Sequence, residues 1–191
     1  MSVHQTVSAI LFAALLTATL GACKSKTAAP AGVKVDRPFT GSGYESNNRW
    51  FRGTGIGVST KQNIARSKSD LDAKNQLAGQ VGSNVRSVSD QYLGETANAN
   101  ASEVADKFQS LVRDVMSTEI ADLRKMGEEF FFNAERNEFT VYTAYEIKKA
   151  AMWRFMKKQA RTQGKMDEVS LKLWEEMMDE QIKLAEAEEE K

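Results

Sequence analysis

The most constraining feature of this chain is a glycine at every second residue, Gly53, Gly55 and Gly57, inside the run Trp50–Ser59 (WFRGTGIGVS). Alternate residues of an extended chain share a face, so the three glycines form a bare stripe that another backbone can approach closely. Trp50, Ile56 and Val58 have the opposite parity and are expected to face the core, with Arg52 and Thr54 between them. G-x-G-x-V departs from the dinucleotide pattern G-x-G-x-x-G, and no G-x-x-x-x-G-K-[ST] loop occurs. Close seating of the helix that follows is therefore the better use of the stripe.

That helix is expected over about Lys61–Val88, with Thr60 as its N-cap. Ile64, Leu71, Ala78 and Val85 recur every seven residues. With Leu77, Val81 and Val88 they define an amphipathic arc, kept narrow by Ala65, Ala73 and Ala78. Asp70 and Lys74 are spaced for an i,i+4 ion pair, whereas Asp70 and Asp72 point in different directions and make a poor metal site. Asn100 and Glu103 form a capping box for a second helix, about Ser102–Lys125, with Val104, Phe108, Leu111, Val115 and Ile120 on one side. Two strand-like runs, Glu128–Asn133 and Glu138–Ile147, flank a polar turn. Their aromatic residues suit a hairpin core better than a base-stacking platform, because no basic stripe accompanies them. A helix over Lys148–Arg161 ends at Gly164, and from Met166 an acidic amphipathic helix carries Val169, Leu173, Trp174, Met177, Met178 and Ile182. The expectation is an α+β fold: a small antiparallel sheet with a long amphipathic helix packed on it, plus a C-terminal helical extension.

Charge is distributed unevenly. Lys and Arg number 26, as do Asp and Glu, so no global field points to nucleic acid. The last 27 residues, however, carry a net −6 and the remainder a net +6. The acidic helix is read in two ways: Trp174, Met177 and Met178 grip a partner helix, or they pack back on the domain.

The N-terminus reads as an address. Residues 1–22 hold no charged side chain, and Ala9–Leu20 is a compact apolar run. It is short for a membrane-spanning helix and suits the apolar region of a secretory signal. Leu20-Gly21-Ala22-Cys23 follows, and Cys23 is the chain's sole cysteine. The four residues resemble the lipobox of bacterial lipoproteins, which implies a signal peptide over 1–22 and acylation of Cys23. No Lys or Arg precedes the apolar run, a departure from the usual positive end. Residues 23–48, rich in small residues and holding both prolines, are expected to form a flexible tether. Residues 49–163 are then the folded domain and 164–191 the helical tail. Lys24 follows the cysteine; by the rules of enteric bacteria it implies sorting to the outer membrane.

Together the lipobox, the R-G-T-G-x-G strand, the helix ending LAGQVGSNVRSV and the hairpin run FTVYTAYEI are similar to the LPP-twenty-like family of bacterial outer-membrane lipoproteins. The resemblance covers roughly Arg49–Lys149. It implies a small α+β domain, attachment to the outer membrane and no enzymatic chemistry, and it carries over one functional residue, Cys23.

After removal of a signal the chain has no histidine and only a lipidated cysteine, which removes Ser-His and Cys-His nucleophile systems and His/Cys zinc sites. A carboxylate pair among Glu128, Glu129, Glu135 and Glu138 is the remaining catalytic candidate, at positions usual for solvated charge. The expectation is a non-enzymatic, cofactor-free binding or structural module, lipid-anchored at the periplasmic face of the outer membrane, that contacts another envelope component or itself through the sheet or the acidic helix. The alternative is a periplasmic small-ligand carrier or sensor. A carrier needs a cavity of about 300–1,000 Å³ lined by Phe131, Tyr142 or Tyr145; a scaffold needs an exposed apolar patch on Trp174, Met177 and Met178.

Overall fold

A computed structural model describes residues 35–95 and 101–191. The apolar N-terminal run, Cys23, the tether up to residue 34 and the Asn100 cap lie outside the described residues. Arg37–Lys191 form one compact unit. It takes in residues 37–48, which the sequence assigns to the tether, and the C-terminal helix, which the sequence sets apart as a tail.

After a single 3-10 turn at Ser42–Tyr44 come β1 (Trp50–Ser59), α1 (Gln62–Glu95), α2 (Ala101–Met116), β2 (Arg124–Asn133), β3 (Glu138–Lys148), α3 (Lys149–Gln163) and α4 (Glu168–Glu189). The three strands make one antiparallel sheet in the order β1-β3-β2. The class is α+β, with the long helix α1 on the sheet. Among the described residues no helix is long and apolar enough to cross a membrane.

The glycine stripe seats α1. A Cβ built on Gly53, Gly55 or Gly57 would lie inside 3.0 Å of the backbone of α1, against Ala73 and Leu77, Ser69 and Ala73, or Ala65 and Ser69 respectively. The parity of β1 is therefore the reverse of the expected one. Phe51 and the glycines face the helix, while Trp50 is half-buried and Ile56 and Val58 are exposed on the opposite face. Residue size fails as a guide to the inner face because that face is filled by a backbone.

The buried stripe of α1 is also not the seven-residue repeat. Ile64 and Leu71 are exposed. The buried positions are Ala65, Ser69, Ala73, Leu77, Val81, Val85, Ser89 and Leu93, one every four residues. Four residues turn a helix about 40° beyond a full circle, so this stripe winds roughly 280° along the helix. Its first half meets the sheet. Its second half turns toward α2 and α4, where Gly82 lies beside Val112 and Ser89 Oγ is 3.6 Å from Met177 Sδ. Continuation of the stripe through Ser89 and Leu93 carries α1 past the expected end at Val88. At its start, Lys61 rather than Thr60 occupies the cap position, its carbonyl accepting from Ile64 and Ala65 N–H.

The second helix ends at Met116, not Lys125. Thr118 Oγ1 turns back to the Val115 carbonyl, Asp122 adopts φ 64°, and the chain enters β2 at Arg124. Ile120 and Leu123 still reach the core, from this turn. β3, flanked on both sides, is buried from Val141 to Ile147 apart from a half-buried Tyr142, as its two-faced apolar content predicts. Gly164, at φ 60°, ends α3.

Gly55→Ala should destabilise the fold by about 3 kcal/mol or more, since only backbone stands where the methyl must go. Gly79→Ala, with open space around a helical position, should add about 0.5–1 kcal/mol. Urea unfolding of the two variants checks the contrast, and equal effects would contradict the seating.

Candidate interaction surface

Trp174, Met177 and Met178 are fully buried inside the unit. Trp174 packs edge-on to Phe108 of α2 with ring centroids 4.8 Å apart. The reading of these three side chains as an exposed partner patch is corrected: α2, α3 and α1 already cover them. Among their buried polar atoms, Trp174 Nε1 has no acceptor, so its indole contributes by packing.

The acidic surface of α4 is turned to basic α3. Arg161 pairs with Glu175, Lys157 with Asp179 at 2.5 Å, Arg154 with Glu186, and Lys148 just before α3 with Glu189. The opposite charges of tail and body thus meet within the fold. Asp167 caps α4, accepting from Ser170 N–H at 2.9 Å. Lys107 of α2, 2.8 Å away, and that cap hold its carboxyl well below the usual range.

On the sheet face opposite α1, Glu146 of β3 lies between Arg52 of β1, at 3.1 Å, and Arg124 of β2. Burial pushes its carboxyl up, but Arg124 and Arg52 outweigh that and bring it below its ordinary value. Arg52, Arg124 and Lys148 also surround the Trp50 ring at 5.4–5.9 Å. Further along this face the chain before β1 lies over the sheet. Phe39, at φ 57°, sets its ring against Gly127, where a Cβ would come within 2.7 Å, and contacts Tyr44.

On the α1 face, a polar latch joins helix and β2. Asp70 pairs with Lys125 at 2.9 Å, Arg66 with Glu128 at 3.0 Å, and Lys125 with Glu128 at 2.7 Å. Tyr145 donates to Asp70 at 3.0 Å. Burial alone would lower the Lys125 ammonium, but Glu128 and Asp70 hold it above its ordinary value. The expected Asp70–Lys74 pair is not made; Lys74 lies over the Tyr145 ring instead. Of the candidate catalytic glutamates, Glu128 belongs to this latch, and Glu129, its neighbour in the strand, points to the other face. Asp72 receives the Ile56 N–H at 2.9 Å. Among the described residues no group of three or more His, Cys, Asp or Glu could hold a metal.

Of the hairpin aromatics, Tyr145 is core and Phe139 and Tyr142 are half-buried, but the three phenylalanines of β2 are not core. Phe130, Phe131 and Phe132 are 42%, 48% and 54% exposed. The register places Phe130 and Phe132 on the α1 face beyond the helix, and Phe131 on the opposite face. Phe132 contacts Phe139 at 4.7 Å, and Phe131 contacts Tyr142 at 5.7 Å. With Ile56 and Val58 exposed on the same face as Phe131, this end of the sheet is apolar on both sides.

The two sheet edges differ as well. Along β1, Asn47 takes up the Trp50 N–H and carbonyl, while Ser46 and Gln80 serve Arg52. Asp72 receives Ile56 N–H, and Lys68 donates to the Val58 carbonyl. Those bonds show that even-numbered residues of β1 turn outward, so odd-numbered residues bond β3 and even-numbered residues of β3 bond β2. Glu129, Phe131 and Asn133 therefore bond β3, and Glu128, Phe130 and Phe132 turn their N–H and C=O groups outward. Among the described residues no hydrogen bond reaches them. Sequence reasoning passed over this edge because its aromatics were assigned to the core; their position next to two glutamates and a polar turn was the available signal.

Tyr145 lines a cavity of about 170 Å³ and Tyr142 one of about 110 Å³, both smaller than a ligand pocket of about 300 Å³. A larger cleft of about 670 Å³ lies between α1 and α2, lined by Arg86, Asp90, Gln109 and Arg113 among others. Comparison with protein families, curated proteins and solved structures gives no match.

Two outcomes follow for the buried cluster and the strand carboxylate. Trp174→Ala should cost about 3–5 kcal/mol, and Trp174→Phe far less because no indole hydrogen bond is lost. Arg154→Ala, on the exposed zipper, should cost under about 1 kcal/mol. Urea titrations rank the three. For Glu146, the unfolded chain takes up a proton near pH 4.3 that the folded chain refuses until lower pH. Its contribution is whole above that value and is lost as pH falls through the depressed folded value. Glu146→Gln should therefore remove part of the acid-side fall in urea midpoint below about pH 4.5; an unchanged slope would contradict the pairing.

Proposed function

We propose that this chain is a lipid-anchored lipoprotein of the bacterial cell envelope, of the LPP-twenty-like kind. It acts as a non-enzymatic docking module at the periplasmic face of the outer membrane. The sole cysteine at the end of an apolar run supports the anchor, with Cys23 as the acylated residue. The absence of histidine and cysteine from the rest of the mature sequence supports a binding rather than a catalytic role.

The observation that carries docking is the open β2 edge beside Phe130, Phe131 and Phe132. A strand with unpaired outward groups and exposed apolar side chains is the structure used in strand-addition binding. Of the two surfaces the sequence leaves open, the sheet and the acidic helix, the contact thus falls to the sheet, at its hairpin. The alternative of a small-ligand carrier or sensor is supported by the α1–α2 cleft. Arg86, Asp90 and Arg113 there suit a polar, charged ligand rather than an apolar one.

Cys23→Ala should abolish metabolic acyl labelling and release the protein from membranes; unchanged labelling and fractionation would remove the anchor from the reading. In the same cells, a photo-crosslinking benzoylphenylalanine at Phe131 should give discrete protein adducts, and one at the exposed Lys172 should not. Equal patterns from both positions would remove the docking surface.

A further inference from the structure

We infer that the occupant of the β2 edge is a second copy of this chain, paired strand to strand about a two-fold axis that passes between the two Phe130 residues. The inference rests on the reading of that edge as the contact surface and names its partner.

Three observations select this occupant. First, the edge matches itself. Glu128, Phe130 and Phe132 turn outward, so antiparallel pairing centred on Phe130 sets Glu128 against Phe132 of the other copy, and Phe130 against Phe130. Every outward N–H and C=O of the three then finds a partner. Second, the charges fit this register. Glu128 and Glu129 come opposite Phe132 and Phe131 of the second copy, so no carboxylates face one another. A shift of two residues toward the start of β2 sets Glu129 against Glu129, which is unfavourable. The opposite shift sets Glu128 against Ala134 in the turn and leaves fewer strand bonds. Third, among the described residues no element other than β3 packs along β2. The glycine stripe draws α1 over β1 and β3, and the two helices of the pair would lie on the same face, apart, with Phe130 and Phe132 of both copies between them.

The polar tip of the hairpin argues against a bilayer as occupant. Asn133, Glu135, Arg136, Asn137 and Glu138 would enter the membrane ahead of the phenylalanines. The size of the surface argues for modest affinity. Half-exposed rings of about 200 Å² each give roughly 300 Å² per copy, against about 800 Å² per partner in a stable interface. The strand backbone and flanks supply the rest only in part. The pair is therefore concentration-dependent, and confinement of the copies to one surface would strengthen it.

The test uses the full chain carrying Cys23→Ala, in which an introduced cysteine is the only one. Sedimentation from about 10 μM to about 1 mM should show a reversible monomer–dimer equilibrium. Phe132→Lys and, with only an outward N–H removed, Phe130→Pro should shift it at least tenfold toward monomer. Circular dichroism of each variant confirms that the fold is retained, and either folded variant suffices. Phe130→Cys should oxidise to a disulfide dimer, because the paired Cα atoms would be about 5.5 Å apart, within disulfide range. Ile56→Cys, on the β1 edge whose Ile56 N–H is taken up by Asp72, should remain monomeric. A chain monomeric throughout, with Phe130→Cys no faster to oxidise than Ile56→Cys, overturns the pairing. If that chain instead partitions onto liposomes, the surface belongs to a bilayer and the pairing is again overturned. Adducts at Phe131 with a different envelope protein only, and none with itself, overturn the pairing while leaving the docking surface intact; no adducts at all remove both.

Discussion

The structure depends on one contact, the seating of α1 directly on the backbone of β1. Gly53, Gly55 and Gly57 leave no side chain between strand and helix, and at the crossing the buried Ser69 hydroxyl donates to the Gly55 carbonyl and shares a 2.8 Å hydrogen bond with Thr143 Oγ1. Such close approach gives dense van der Waals contact from small residues. It also fixes the axial position of the helix, because each glycine receives a particular turn. From that fixed start, the four-residue stripe rotates until its far half faces α2 and α4. One helix thereby serves two parts of the core, the sheet and the helical cluster around Trp174 and Phe108.

The charge asymmetry has a structural explanation within the chain. Acidic α4 lies antiparallel to basic α3, and four ion pairs run along their exposed seam. These pairs orient more than they stabilise, since exposed ion pairs contribute little each. Trp174, Met177, Met178 and Ala185 supply the buried area. A like-charged tail would oppose that docking, so the acidic composition favours the arrangement without needing a partner of its own.

Where the sequence is legible, it is because a residue admits few neighbours. Alternating glycines demand a close backbone, and a helix followed at once; Gly164 marks a helix end; the two-faced apolar content of Val141–Ile147 marks the central strand. Where it misleads, the pattern admits two neighbours. Ile56 and Val58 look like the inner face of β1 because size normally marks the core, yet here the inner face is the empty one. Ile64 and Leu71 fit a seven-residue repeat, but the helix buries every fourth residue, and in its first half these are the small Ala65, Ser69 and Ala73. Phe130 to Phe132 and Trp174 with the two methionines are equivalent cases in opposite directions. Both are apolar runs beside glutamates, and which one is covered depends on where distant helices settle. The expectation for Cys23 rests on sequence alone, since the residue lies outside the described residues.

The position of α1 also accounts for the unlike edges of the sheet. A helix centred on a three-stranded sheet would lie over its middle strand. The glycine stripe is on β1, an edge strand, and draws the helix to that side. Side chains of α1 then overhang β1, so Lys68, Asp72 and Gln80 reach its outward backbone groups. The same displacement withdraws cover from β2, to which α1 extends the long polar reach of Asp70 to Lys125 and of Arg66 to Glu128. An apolar strand left beyond the helix has exposed rings and unpaired backbone together, a combination that monomeric proteins usually avoid by charge, proline or cover. Lysine and proline are missing from Glu128–Asn133, and its two glutamates lie at one end, one of them neutralised by Arg66 and Lys125. The partly served edge and the open edge are thus two consequences of one glycine stripe, and a strand left in the open state is suited to pairing.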